Sequence, residues 1–207
     1  MLIFREVKIA VIGAGHIGGT LAKKFAKIGH TVYLGVRNIK DPKVVALVSK
    51  RISAHSIPEA AQKGDVIVTA VYPLATKEIA RKLGNVSKKI VIDAMNTFRG
   101  KPTPYNTTSE GLLAWTNCKD VVRCFNTTGW ENIENPKIRG EKIDMFVAGD
   151  SKKAKLVATK LAKQIGFGRV YDLGGNDKFE LMEQIVIAWR GLSEVLGRDM
   201  ALKILKR

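Results

Sequence analysis

The residues best suited to chemistry sit near the amino end, at Gly13-Ala14-Gly15-His16-Ile17-Gly18. An apolar run at 7–12 precedes them, and a run of helical periodicity at 17–28 follows. The glycines therefore fall in the turn between a strand and a helix, the setting in which this spacing cradles a pyrophosphate. Gly13 permits the tight bend, Gly15 lets phosphate approach the backbone, and Gly18 lets helix and strand pack closely. The free N–H groups of the helix and its positive dipole then receive the negative charge. His16 lies in the loop facing the phosphates, and Ala14 and Ile17 complete the expected contact set.

A second strand, expected at 31–36, ends on Gly35-Val36-Arg37-Asn38. Recognition of a ribose 2′-hydroxyl needs an acid at that point. The first acid here is Asp41, several residues further on. Arg37 is placed to pair with a 2′-phosphate and Asn38 to donate to it, so the residues favour NADP(H) over NAD(H).

Ligands in such sheets lie beyond the carboxyl ends of the strands. Those ends are Ala70-Val71-Tyr72-Pro73, Asp93-Ala94-Met95-Asn96 and Phe125-Asn126-Thr127-Thr128. Val71, Tyr72 and Pro73 would run under the cofactor. Asn96, Asn126 and Thr127 offer neutral hydrogen-bonding groups near a nicotinamide, while Asp93 reads as the cap of a strand-end loop. These ends hold no Tyr-x-x-x-Lys pair and no His–Asp pair. Reduction of a carbonyl needs a positioned proton donor. Hydride exchange between two redox cofactors needs mainly alignment, which neutral side chains provide.

The elements that must hold these residues alternate. Strands are expected at 65–71, 89–93, 120–125, 142–148 and 169–173, with helices at 41–50, 58–63, 74–83, 109–115 and 151–165. The strands are continuously apolar, which implies a mainly parallel sheet covered on both faces, a Rossmann-type doubly wound α/β fold. A helical pattern from 177 onward, broken near Gly197, predicts a division into a dinucleotide-binding domain at 1–176 and a short helical C-terminal extension at 177–207. Leu181, Ile185, Ile187, Trp189, Leu192 and Leu196 suit both domain packing and a homodimer face.

Composition narrows the rest. The chain has 207 residues, 45% of them hydrophobic, and its longest stretch without Asp, Glu, Lys or Arg is glycine-rich and too short for a membrane span. No signal segment is evident, which predicts a soluble cytoplasmic protein. The two cysteines and three histidines fit no metal-ligand spacing, so no metal is expected. Net charge is +16, which attracts phosphorylated cofactors and acidic substrates. No arginine-rich stripe is interleaved with aromatics, so no specific nucleic acid is expected.

The segments at 13–38, 64–72, 91–96, 121–136, 143–150 and 197–207 together resemble the NADPH-dependent F420 reductase family. The characteristic pieces include GDVIVTAVY, VIDAMN, VVRCFNTTGWENIENP and IDMFVAGD. The chain is also similar to the cytoplasmic reductase portion of six-transmembrane ferric reductases. The N-terminal half resembles imine-forming reductases, whose separate helical dimerisation domain has no room here. The F420 resemblance implies hydride transfer between NADPH and a deazaflavin, coenzyme F420, or a flavin. It implies pyrophosphate on residues 13–18, the 2′-phosphate on Arg37 and Asn38, Val71–Pro73 beside the nicotinamide, Asn126 and Thr127 at the hydride-transfer pocket, and the C-terminal helix closing it. A non-catalytic NADP(H)-sensing module and an NADPH-dependent ferric or flavin reductase remain as alternatives.

Overall fold

Ile9 and Val11 pack into the core on one face of a sheet, Ala10 and Ile12 into that on the other, and all four are fully buried. A strand buried on both sides requires helices on both sides. The computed structural model, which describes residues 6–207, supplies them. In chain order the elements are β1 (Lys8–Ile12), α1 (His16–Lys27), β2 (Thr31–Val36), α2 (Pro42–Val45), β3 (Ile52–Ser56), α3 (Ile57–Lys63), β4 (Val66–Thr69) and α4 (Thr76–Leu83). There follow β5 (Ile90–Asp93), α5 (Thr108–Trp115), β6 (Val121–Cys124), α6 (Trp130–Glu134) and a small hairpin of β7 (Lys137–Ile138) and β8 (Glu141–Lys142). The chain closes with β9 (Met145–Ala148), α7 (Lys152–Gln164), β10 (Val170–Asp172) and α8 (Phe179–Leu196).

The main sheet has eight strands in the order β10-β9-β6-β5-β4-β1-β2-β3. Every neighbouring pair is parallel except β6 with β9. The fold is thus the expected doubly wound, mainly parallel α/β arrangement. Strand order reverses at β1, so a crevice opens above the carboxyl end of that strand. Leu21 and Phe25 of α1 and Ala158 and Leu161 of α7 fill one face. Ala60 and Ala61 of α3, Ile79 and Leu83 of α4 and Leu112 of α5 fill the other.

Four elements depart from expectation. The helix expected at 41–50 is a single turn, Pro42–Val45, started by the Asp41 cap and Pro42; beyond it Leu47 still packs on the core, while Val45 and Val48 stand exposed. Strand β3 is polar, with the sequence ISAHS, and lies at the sheet edge, where solvent relaxes the demand for apolar residues. The stretch 126–139 holds α6 and β7. The C-terminal segment is helical only to Leu196; Gly197 adopts φ +81° and the remaining residues run as a strap.

That strap is tied down by side chains. Arg198 pairs with Glu131 at 2.5 and 2.9 Å and lies over the Trp189 ring. Asn132 and Trp189 both donate to the Met200 carbonyl. The Asp144 carboxylate accepts from the Ile204 N–H at 2.9 Å. Trp189 is therefore a packing residue of α8, whereas Leu181, Ile187, Leu192, Val195 and Leu196 stand exposed.

Among the described residues no helix is long and apolar enough to cross a membrane. Both cysteines are free and buried. Burial pushes the Cys118 thiol up and carries that of Cys124 to about 12. The thiolate is the reactive form, so neither thiol should react with Ellman's reagent in the native protein at neutral pH, and both should react in denaturant. A rapid first equivalent before unfolding would contradict the burial of these thiols.

Candidate dinucleotide site

The glycine loop bends where its geometry demands glycine. Gly13 sits at φ +106°, and a Cβ there would strike the Ala70 carbonyl oxygen at the end of β4. A Cβ on Gly18 would strike the Gly13 carbonyl, so Gly18 is what lets α1 start this close to β1. Gly15 is different. A Cβ at Gly15 would meet nothing within 4 Å, because the residue faces open space. It is also the N-cap of α1, and no side chain caps the helix there; nor does the first turn hold an acid. Uncapped N–H groups and the positive end of a 12-residue helix therefore face the crevice.

A cleft of about 910 Å³ lies against this loop, at the upper end of ligand-site volumes. Gly13, Ala14, Gly15, Arg37, Asn38, Val71 and Tyr72 all line it. Seven of the residues expected from sequence thus meet in one place. Four others do not line it. Ile17 and Gly18 are packing residues of α1, and Pro73 is buried in the turn after β4. His16 leans the other way, its ring stacked on Trp130 of α6 with centroids 5.2 Å apart. It faces a second groove, of about 460 Å³, with Lys23, Lys24 and Lys43. Tyr72 is 51% exposed, and its hydroxyl donates to the Arg99 carbonyl at 2.6 Å.

Charge at the β2 end of the cleft is partitioned. Arg37 is exposed at the strand terminus. Asp41, the nearest acid along the chain, accepts from the Lys43 N–H at 2.9 Å and so caps α2. Glu78 of α4 also lines the cleft. Its hydrogen bond to Lys82, with that cation's charge and then that of Arg37, holds its carboxyl below the usual range.

Asn96, Asn126 and Thr127 lie beyond β5 and β6, outside the residues that line the cleft. Asn96 is half-buried and donates to the Asn126 main-chain oxygen at 3.0 Å. Asn126 and Thr127 are only 1% and 3% exposed. The Thr127 hydroxyl reaches the Met145 sulfur at 3.6 Å, a weak partner. Phe125, which leads into this pair, has φ +67°, a strained backbone for a bulky side chain.

Beneath this pair lies a group that sequence reasoning passed over. Arg123, in the middle of β6, is fully buried. Its guanidinium donates to the Met95 carbonyl at 2.9 Å, forms an ion pair with Glu183 of α8, and stands 3.6 Å from Asp93. Its Nε lies 2.7 Å from the Asn126 amide; guanidinium only donates, so the amide oxygen faces it. Asp93 accepts from the Met95 N–H at 3.0 Å and from the hydroxyls of Thr108 and Ser109 at 2.5 and 2.6 Å. It is the loop cap that its position suggested. Both Glu183 oxygens accept from the Thr97 N–H, at 3.0 and 3.1 Å. The available clue was an arginine inside the apolar run VVRCF, which must find a buried partner.

The two kinds of glycine give opposite expectations. Gly18→Ala should lose about 1–3 kcal/mol of stability from overpacking, measured by urea denaturation. Gly15→Ala should lose less, about 0.5–1 kcal/mol, since Gly is preferred to Ala at an N-cap but a Cβ there meets nothing, yet bind a dinucleotide more weakly. Equal stability losses in the two variants would contradict this division.

The family described as NADP oxidoreductase, coenzyme F420-dependent, matches residues 8–97. The F420-dependent NADP reductase of Methanothermobacter thermautotrophicus is 28% identical over 210 residues, spanning 89% of this chain and 88% of that protein. Metalloreductase STEAP3 of Rattus norvegicus is 24% identical over 162 residues. That alignment spans 77% of this chain and 32% of the metalloreductase, so the chain spans about a third of that relative's length. A protein from Arthrobacter sp. FB24, provisionally assigned as an F420-dependent NADP-reductase, superposes with a TM-score of 0.85 at 26% identity. The superposition covers 97% of this chain and 100% of that one. An imine reductase from Pseudomonas sp. shares the fold, with a TM-score of 0.70 at 15% identity over 93% of this chain and 64% of its own. The glycine loop lies inside the segment that matches the NADP oxidoreductases described as coenzyme F420-dependent, and it is there that this chain is similar to them.

Proposed function

We propose that the protein binds NADP(H) in the cleft above β1 and passes a hydride between it and a two-electron acceptor of the deazaflavin (coenzyme F420) or flavin type. The observation that carries this reading is the joining of two phosphate-receiving features in one cleft. The uncapped N-terminus of α1 stands at one part of it, and Arg37 at another. Asp41 also lines the cleft but turns one carboxylate oxygen to the cap of α2, and Arg37 at the end of β2 is the cation placed to meet the 2′ position. The residues fit the group: Gly15 leaves open the space a pyrophosphate needs, and the donors there are all backbone N–H groups.

When bound, the nicotinamide supplies the carbon that gives or takes the hydride. The chain's part is placement. Val71 lines the cleft beside the end of β4, next to the loops that carry Asn96 and Asn126. Those two amides and the Thr127 hydroxyl offer neutral hydrogen bonds, which orient a conjugated acceptor without exchanging protons with it. The proton that balances the acceptor's reduction then comes from water. The same reading places the protein in the cytoplasm, where NADPH and reduced thiols coexist.

Two measurements test it. Arg37→Ala should weaken NADPH binding by about 1.5–3 kcal/mol, the worth of a charge-assisted contact, and leave NADH binding nearly unchanged. Calorimetric titration decides; equal losses would mean that Arg37 does not read the 2′-phosphate. Stopped-flow absorbance should show NADPH oxidation on mixing with F420, or failing that with FMN or FAD. Reduction of ferric chelates alone would favour the reading suggested by the likeness to the metalloreductase. No oxidation by any of these acceptors would leave an NADP(H)-binding module without turnover.

A further inference from the structure

Arg123, Asp93 and Glu183 carry one positive and two negative formal charges, and all three are buried. The polar groups set against the two carboxylates are donors: the N–H groups of Met95 and Thr97, the hydroxyls of Thr69, Thr108 and Ser109, and the guanidinium itself. The nearest arginine on α8, Arg190, is exposed and lies over the Phe98 ring with its cationic carbon 4.9 Å from the centroid. The cluster therefore holds a net negative charge in a region of low dielectric, where a field reaches further than it does through water. It touches Met95, Thr97 and Asn126, the backbone and amide groups at the carboxyl ends of β5 and β6.

A nicotinamide ring is cationic when oxidised and neutral when reduced. A fixed negative charge beneath it stabilises only the first. We propose that the Asp93–Arg123–Glu183 cluster is a field-setting and positioning device that favours the oxidised, cationic nicotinamide over the reduced one. The protein would then bind NADP⁺ more tightly relative to NADPH than it otherwise could, and bound NADPH would be a stronger hydride donor. Arg123 also holds the Asn126 amide with its oxygen toward the guanidinium. The inference rests on the reading above that the nicotinamide lies at the ends of β4 to β6.

The test needs binding alone, not turnover. The ratio of the dissociation constants of NADP⁺ and NADPH is measured for the wild-type protein and two variants. Glu183→Gln keeps an oxygen for the Thr97 N–H and removes one negative charge, so the ratio should rise about three- to tenfold, for an effective dielectric of about 20. Asn126→Asp adds a negative charge where Arg123 already donates, so the ratio should fall by a similar factor. Structural damage cannot move the ratio in opposite directions in two variants. An unchanged ratio in both, or a shift of the same sign in both, overturns the proposal. If Glu183→Gln fails to fold, Asn126→Asp decides alone: a fall supports the proposal, and no change or a rise overturns it. Wild-type protein that binds both nucleotides but reduces no acceptor would sink the hydride-transfer reading and leave this ratio measurable.

Discussion

A guanidinium removed from water must be paired, and the pairing of Arg123 organises the acceptor end of this molecule. Its partners come from β5, from the loop after it, from α8 and from the segment after β6. Truncating one member of such a buried pair costs about 3–5 kcal/mol, because the remaining charge is stranded. The loop at 93–97 is thereby held from both sides, by Asp93 through the Met95 N–H and by Glu183 through the Thr97 N–H. Helix α8 is docked by a charge as much as by Phe179, Met182 and Trp189. Among the described residues no buried side-chain nitrogen or oxygen lacks a hydrogen-bond partner, so the polar cluster is complete rather than half-satisfied.

The two ends of the site use opposite electrostatic strategies. At the glycine loop, donors are left open toward the crevice and no acid stands in the first turn of α1. At β5 and β6, the charged groups are buried against one another beneath the strand ends, and neutral amides lie above them. This division suits a ligand that is anionic along its phosphates and carries a flat redox ring at one end. The overall +16 charge attracts such a ligand from a distance but cannot orient it, because charges further apart than about 10 Å are screened in salt. Orientation falls to the helix terminus, Arg37 and the buried network.

Features legible in the sequence are those set by neighbours along the chain. The loop at 13–18, the apolar strands and the position of Arg37 each depend on a few consecutive residues, and the structure has them as read. Strand β3 was hidden because its pairing with β2, not its composition, makes it a strand. The antiparallel β9 could not be read from its own apolar run, since direction depends on the hairpin that precedes it. The end of helicity at Gly197 was visible, but not the strap beyond it, whose anchors Glu131 and Asp144 lie far back in the chain. The Arg123–Glu183 pair spans 60 residues, and neither member announces its partner.

Strain and satisfaction meet at the end of β6. Phe125 is fully buried, sits at φ +67°, and meets Phe25 of α1 edge-on at 6.1 Å between centroids. A bulky residue persists in that backbone region only where its surroundings over-determine it. Two constraints do so here. The ring is held in the core beneath α1, and two residues earlier Arg123 is fixed by its carboxylates. Between them the chain must turn sharply, and the turn delivers Asn126 onto the guanidinium instead of continuing the strand. The distortion is thus the geometric consequence of anchoring a core aromatic and a buried cation on the same short strand. The helix that bears the phosphate-facing loop therefore packs against the very residue whose backbone sets Asn126, and the two ends of the site share one rigid core.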